Sequence, residues 1–310
     1  MNTTTPRRLT LLEVGPRDGL QMERETVPTE VKAELVERLL KAGVRRIEVT
    51  SFVNPKKVPQ MADAEALLAR LKRPEGTWFT GLVLNRRGLE RALAAGCNEV
   101  GMALVVTDTF NRRNQGVSTA ESIAEWKDIA AAARAAGVRV QITLSAAFGC
   151  PFEGEVPVAR VLEVAQRVAE SEPDEICLAD TVGVGVPAQV TELVGRLRAL
   201  LPQLPLRCHF HNTRNTGYAN AFAALEAGVS TLDASLGGIG GCPFAPAATG
   251  NIASEDLLYL LQRSGVETGI SLPAMIETAA WLEQQLGHRV PGLLSKAGPF
   301  PRAAARPASP

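Results

Sequence analysis

Apolar residues in this chain fall into two alternating patterns: short β-branched bursts, and longer stretches in which apolar positions return every three or four residues. One phrase marks the junction between them. It reads K-A-G-V-R-R-I-E-V at 41–49, A-G-C-N-E-V-G-M at 95–102, A-A-G-V-R-V-Q-I-T at 135–143 and E-A-G-V-S-T-L-D-A at 226–234. The glycine suits the left-handed position just past a helix end, and the burst behind it suits a strand covered on both faces. Extending the pattern predicts strands at 9–14, 45–51, 78–84, 98–106, 139–146, 175–179, 206–211 and 231–236. Helices are predicted at 29–42, 62–72, 87–95, 119–136, 157–170, 187–200, 215–227 and 254–264. A repeat of roughly 30 residues is the length of a right-handed β-α-β crossover, and about eight such units imply a closed (β/α)8 TIM barrel, with an open doubly wound sheet as the alternative.

Beyond the last unit, 273–287 reads as an additional amphipathic C-terminal helix, packed on the barrel or on a partner subunit. No Gly, Pro or Ser-rich linker divides the chain, so 9–290 is expected to form a single domain. Residues 1–8 are expected to be a flexible N-terminus and 291–310 a disordered C-terminal tail.

Composition narrows the function classes. The 310 residues are 45% hydrophobic and carry 33 basic against 33 acidic side chains. That profile suits a globular protein with a large core and leaves no electrostatic footprint for nucleic acid. No window approaches the roughly 18 apolar residues needed to span a bilayer. The five cysteines are scattered and lack C-x-x-C spacing, which argues against a disulfide framework and a structural zinc site. A cytoplasmic protein is the expectation.

In a barrel of this kind the chemistry gathers at the carboxyl ends of the strands. Asp18 follows the first strand in E-V-G-P-R-D-G-L-Q, with Arg17 beside it; Glu48 lies in the second, Asp180 closes the sixth, and His209 and His211 close the seventh. Those two imidazoles, from a chain with only three histidines, lie at i and i+2 of a strand. Both therefore point into the barrel mouth, while Cys208 and Phe210 face the helices. Two imidazoles on one face, with Asp18 as a third ligand and an oxygen from the loop after strand eight as a fourth, outline a metal site. Mixed histidine and oxygen ligation suits Mg2+ or Mn2+ better than structural Zn2+, although Cys242 on that loop offers zinc a thiolate.

The motifs E-V-G-P-R-D-G-L-Q, I-E-V-T-S-F-V-N-P-K-K-V-P-Q-M-A-D, G-C-P-F-E-G, D-T-V-G-V-G, H-F-H-N-T and G-G-C-P-F-A-P-A-A-T-G-N-I-A-S-E-D follow one another in that order. Together they resemble the hydroxymethylglutaryl-CoA lyase family, within the metal-dependent lyase and Claisen-synthase group of TIM barrels. The resemblance runs from about residue 9 to residue 287. It implies cleavage of 3-hydroxy-3-methylglutaryl-CoA to acetyl-CoA and acetoacetate with Mg2+ or Mn2+. It also implies Asp18, His209, His211 and Asn251 as metal ligands, Arg17 at the thioester oxygen and Cys242 as a loop cysteine needed for activity. Gln21, Glu48, Ser51, Asp180 and Glu255 are implied as substrate-binding or supporting groups. An acyl-CoA is thus the expected partner, with no nucleic acid or membrane, in a homodimer or higher homo-oligomer.

The chain departs from the family in one informative place. Asn212-Thr213-Arg214-Asn215-Thr216 stands where better-known members have Asp-Thr-Tyr-Gly-Gln; Phe244 and Met22 also differ from the usual Tyr and Asn. These changes spare the implied ligands and touch the acyl pocket. A guanidinium at Arg214 can pair with a carboxylate placed differently from that of hydroxymethylglutarate, as in citramalyl-CoA. A Claisen-type acyltransferase of the isopropylmalate or homocitrate kind is the rival from another class, and the G-G-C-P-F-A loop speaks against it. Arg112 and Arg113 are read as a coenzyme A phosphate site or a solvated basic pair, and His288 as a residue without chemistry.

Overall fold

The structure, a computed structural model, describes residues 7–241 and 250–300. Eight parallel strands close into a barrel: β1 (Thr10–Glu13), β2 (Arg46–Ser51), β3 (Trp78–Leu82), β4 (Glu99–Val105), β5 (Arg139–Ser145), β6 (Glu175–Asp180), β7 (Leu206–Phe210) and β8 (Thr231–Ala234). Every strand read from the sequence is present, and the sheet closes. β1 pairs with β8 through Thr10↔Thr231, Leu11↔Leu232, Leu12↔Asp233 and Glu13↔Ala234, and with β2 through Glu13↔Ile47. An open sheet is thereby excluded.

The helices lie outside and bury their apolar stripes against the strands. In α1 (Thr29–Lys41) the buried face includes Leu35, Val36 and Leu39. The long helix α5 (Thr119–Ala135) starts at a Ser118–Glu121 capping box, which satisfies two backbone N–H groups that a helix start otherwise leaves bare. It buries Trp126, whose Nε1 donates to Val168 O at 2.9 Å. The additional helix α10 (Leu272–Leu286) packs on α1, where Arg38 stacks 4.6 Å from the Trp281 ring centroid.

Three elements were not expected. Arg7–Arg8 pairs with Val266–Glu267 as a short parallel ribbon, so the chain is tied down before residue 9. The helix α4 (Asp108–Gln115) follows β4, and a single turn, α11 (Leu294–Ala297), occupies the start of the expected tail.

The barrel interior is charged where most barrels are aliphatic. Arg46 Nη2 lies 2.7 Å from Glu99 Oε1 and 2.8 Å from Glu175 Oε2. Arg207 reaches Glu175 Oε2 at 3.0 Å and Asp233 Oδ2 at 2.5 Å, with Thr143 Oγ1 at 3.1 Å and Gln141 Oε1 also in contact. Thr80 and Thr231 donate to Glu99 and Glu175. A buried charge is tolerable only when paired and hydrogen-bonded, and this ladder supplies both for five side chains.

A register shift in β2 also shapes the mouth. Glu48 opposes Thr80 and Ser51 opposes Leu82, with the shift between Glu48 and Thr50. Residues three apart thus share a face, where strict alternation would pair Glu48 with Thr50.

Candidate active site

The first functional loop is built by one carbonyl. Val14 O accepts from the N–H groups of Arg17, Asp18 and Gly19 at 3.1, 2.7 and 3.3 Å, winding E-V-G-P-R-D-G into a tight turn at the end of β1. Gly19 is required by crowding: a Cβ there would meet Ile239 Cγ1 at 2.6 Å and Ser235 Oγ at 2.9 Å. The turn presents Arg17 and Asp18 to the barrel axis. Arg17 Nη1 donates to Asp18 Oδ1 at 2.6 Å, and its Nε donates to Glu48. Although burial opposes it, the carboxylates of Glu48 and Asp18 raise the guanidinium pKa further, so Arg17 stays cationic.

His209 is the penultimate residue of β7 and His211 follows the strand, with ring centroids 5.1 Å apart. Cys208 and Phe210 are buried in the apolar layer outside, as alternation requires. Asp18, His209 and His211 each offer one ligand atom, all within 4.8 Å of one another. Asn251 joins them: its Nδ2 donates to Asp18 Oδ2 at 2.9 Å and to Ile239 O at 3.0 Å, which turns Oδ1 away from both. That Oδ1 is buried without a hydrogen-bond partner, and so is His211 Nδ1. An anionic oxygen, two imidazoles and an amide oxygen without a protein partner are the donor set a divalent cation takes, so the residues present fit such an ion. Protonation states agree in part. Burial opposes ionisation of Asp18, yet Arg17 and the two imidazoles hold its pKa at about 2. Burial and His209 push His211 down to about 3, leaving it neutral and free to ligate. His209 goes the other way, because Asp233 outweighs its burial.

The loop after β8 meets this cluster at its stem. Gly240, at φ +115°, lies so close that a Cβ would meet Asn251 Nδ2 at 2.5 Å and Asp18 O at 3.3 Å. Cys242 and Phe244 lie outside the described residues.

The remaining expected residues divide. Glu48 is in the site through Arg17. Ser51 Oγ and Gln21 Oε1 are buried without hydrogen-bond partners, Ser51 on the face that Glu48 shares. Asp180 accepts from Val184 N and Gly185 N at 2.9 Å each, bracing its own loop. Arg214 is exposed and donates through Nη1 to Val182 O and Gly183 O at 3.2 and 2.9 Å, tying the β7 loop to the β6 loop. Glu255 accepts from Gly237 N at 3.0 Å, beneath the β8 loop, and makes no hydrogen bond to the ligand cluster among the described residues. Arg112 and Arg113 are exposed on α4, Arg113 stacked on Phe152, and His288 pairs with Glu23 on the surface.

Two carboxylates escaped the sequence reading. Asp233, in β8, contacts His209 Nδ1 at 3.2 Å. Glu13, in β1, accepts from Gly15 N, Leu236 N and Ser254 Oγ, stitching the first loop to the last. The signal for the interior ladder was present: Arg207 stands two residues before His209 and Arg46 two before Glu48, so alternation aims all four inward.

Fold and mouth together define a closed parallel barrel with a metal-competent cluster at its carboxyl end. A model of the HMGL-like family matches residues 8–282, and the chain belongs to that family. An (R)-citramalyl-CoA lyase from Chloroflexus aurantiacus is 47% identical over 301 residues, covering 94% of this chain and 95% of that one. A hydroxymethylglutaryl-CoA lyase from Bacillus subtilis is 39% identical, covering 92% and 96%. Among solved structures, an HMG-CoA lyase from Acinetobacter baumannii in complex with coenzyme A and 3-methylmalate superposes with a TM-score of 0.93 at 38% identity, covering 98% of this chain and 100% of that one.

Proposed function

We propose that this protein is a divalent-metal-assisted carbon–carbon lyase that cleaves 3-hydroxy-3-methylglutaryl-CoA to acetyl-CoA and acetoacetate. The observation that carries the reading is the convergence of Asp18, His209 and His211, with Asn251 bonded to Asp18, beside a half-buried arginine. Mg2+ or Mn2+ held by these four side chains would supply Lewis-acid polarisation of the substrate alcohol, whose own pKa is far too high for a side-chain base.

The chain's own groups do the rest. Arg17 has Nε and Nη1 committed to Glu48 and Asp18, and among the described residues Nη2 donates to none. That nitrogen faces the thioester oxygen, where enolate charge develops on the acetyl-CoA half as the C2–C3 bond breaks. A guanidinium already fixed by two carboxylates stabilises that charge without reorganising. Cys242, two residues beyond Gly240, is the acid or base that exchanges a proton with the enolate carbon or the alcohol. Gln21 and Ser51 use their unpaired atoms on the acyl group, and Asp180 and Glu255 hold the loops around it. The protein works on an acyl-CoA in the cytoplasm, as a homodimer or higher homo-oligomer of a single domain spanning 9–290. The buried, unpaired thiols of Cys97, Cys150, Cys177 and Cys208 support a reducing compartment.

A second substrate is favoured by two specific observations, the 47% identity to an (R)-citramalyl-CoA lyase and Arg214 in the β7 loop. Citramalyl-CoA has the same tertiary alcohol and methyl group, with its carboxylate one methylene closer. Assay of both acyl-CoA compounds with Mg2+ and with Mn2+, following the ketone product, separates the readings. Turnover of the hydroxymethylglutaryl compound is expected. Turnover of citramalyl-CoA alone transfers the mechanism to the shorter acid, and inertness of both, with net condensation of acetyl-CoA on a 2-oxo acid, overturns the lyase.

A further inference from the structure

The two mouth histidines are not equivalent. His211 Nδ1 is buried with no partner, whereas His209 Nδ1 sits 3.2 Å from Asp233 Oδ2. Asp233 is 3% exposed and is itself gripped from below by Arg207, whose Nη1 donates to that same Oδ2 at 2.5 Å. Arg207 cannot swing away, because Glu175, Thr143 and Gln141 hold its other nitrogens. The ladder also has a direction. Its fully buried members are the guanidinium groups of Arg46 and Arg207 and the carboxylates of Glu99, Glu175 and Asp233, so two positive charges face three negative ones. Both arginines are shared with Glu175, and the far end at Glu99 is further compensated by Arg139 at 3.7 Å on the rim. Asp233 is thus the carboxylate of the ladder with a single arginine, itself shared with Glu175, and it lies directly beneath His209.

We propose that Asp233, locked by Arg207, is a positioning residue for the metal centre: it accepts the Nδ1 proton of His209, fixing ring plane and tautomer so that Nε2 faces Asp18 and His211. The inference rests on the lyase reading above. An imidazole whose second nitrogen is bonded to a carboxylate is a stronger and better-oriented ligand, and loss of such a partner costs about 10- to 100-fold in metal affinity. A carboxylate serving only the stability of the interior would need no contact with His209, since Arg207 already satisfies Oδ2.

Mn2+ binding to the substrate-free protein, followed through the electron paramagnetic resonance of the free ion, tests this directly. Asp233→Asn is expected to weaken Mn2+ binding about 10- to 100-fold. Because that change leaves Arg207 buried opposite a neutral group, the double variant Asp233→Leu with Arg207→Met is measured beside it, with no lone charge left from that pair. The same weakening is expected there, in protein that melts cooperatively. Mn2+ affinity equal to wild type in the folded double variant overturns the positioning role. Wild-type protein that binds no Mn2+ sinks the lyase reading itself, which is a different result.

Discussion

In the lower half of the barrel Arg46 and Arg207 are each gripped by two carboxylates, while above them at the mouth Gln21 Oε1, Ser51 Oγ, His211 Nδ1, Thr213 Oγ1 and Asn251 Oδ1 are buried with no hydrogen-bond partner. Both regions place polar atoms away from water, which costs free energy in proportion to what is left unpaired. Below, each charge lies within ion-pair distance of an opposite one, although Glu175 Oε2, Arg207 Nε and Asp233 Oδ1 make no hydrogen bond, and the result is an internal charge frame. Above, neutral polar atoms without a protein partner gather beside the ligand cluster, where a bound group can use them. The difference separates residues whose loss unfolds the protein from residues whose loss silences it.

The largest expected effect comes from the mouth. Asp18→Asn keeps shape and removes the one anion of the ligand cluster, so activity should fall by about 1,000-fold or more, as when a group that acts mainly on the transition state is removed. Mn2+ binding should fall with it, and the thermal midpoint should stay close to wild type. A variant that keeps its activity, or that loses its fold, would erase the distinction between the two regions. The floor predicts the mirror image. Arg46→Met leaves Glu175 with Arg207 alone and Glu99 with only Arg139 at 3.7 Å, and breaking a buried pair in this way costs up to about 3–5 kcal/mol. Urea unfolding should register that loss, while kcat per folded molecule stays near wild type because Arg46 touches none of the ligand cluster.

The frame and the mouth were not equally legible in the sequence. The eight strands announced themselves because a glycine after each of several helices is followed by a burst that only a two-sided strand accommodates, as at Gly43, Gly137 and Gly228. The helix α4 gave no such signal: D-T-F-N-R-R-N-Q has only Phe110 and Asn111 buried, and Asn111 holds its place by side-chain bonds to Val105 N, Val117 O and Ser122 Oγ. His209, His211 and Asp18 stood out as polar residues at strand ends, Asn251 was named by the family resemblance alone, and the four lie together. Asp233 and Glu13 did not, since a lone carboxylate inside an apolar strand reveals nothing until its partner arrives from another strand, 24 residues away for His209 and 241 for Ser254. Ser51 shares the Glu48 face only through a register shift that no periodicity displays.

The comparison sharpens once more around carboxyl groups that are buried without an arginine. On the floor, burial opposes ionisation of Glu99 but Arg46 wins, and its pKa is lowered. Beneath the β8 loop no cation among the described residues pairs with Glu13 or Glu255, so burial lifts Glu13 to about 7 and Glu255 to about 8 against backbone and hydroxyl hydrogen bonds that pull the other way. The sign follows from proton counting. Below the unfolded value of 4.5 both carboxyls are protonated in either state; between 4.5 and the raised values the unfolded chain has released protons that the fold still holds. Stability is therefore full at the acid side of that window and falls as pH rises through it, by up to about 1.4 kcal/mol per pH unit for each group. Glu99 acts in the opposite sense and only at lower pH; His211, held near 3 by burial and His209, opposes the decline up to its unfolded value of 6.5, with one proton against the two of Glu13 and Glu255. Calorimetric midpoints taken from about pH 5 to about pH 8 should decline for wild type, and Glu255→Gln, which cannot ionise, should decline less steeply. Because Glu255 Oε2 only accepts from Gly237 N, the amide oxygen of Gln reproduces that bond, and a fold lost at every pH is not expected. Parallel curves for the two proteins would mean that Glu255 ionises as freely inside as outside, and that the loop stem rests on something other than a protonated carboxyl.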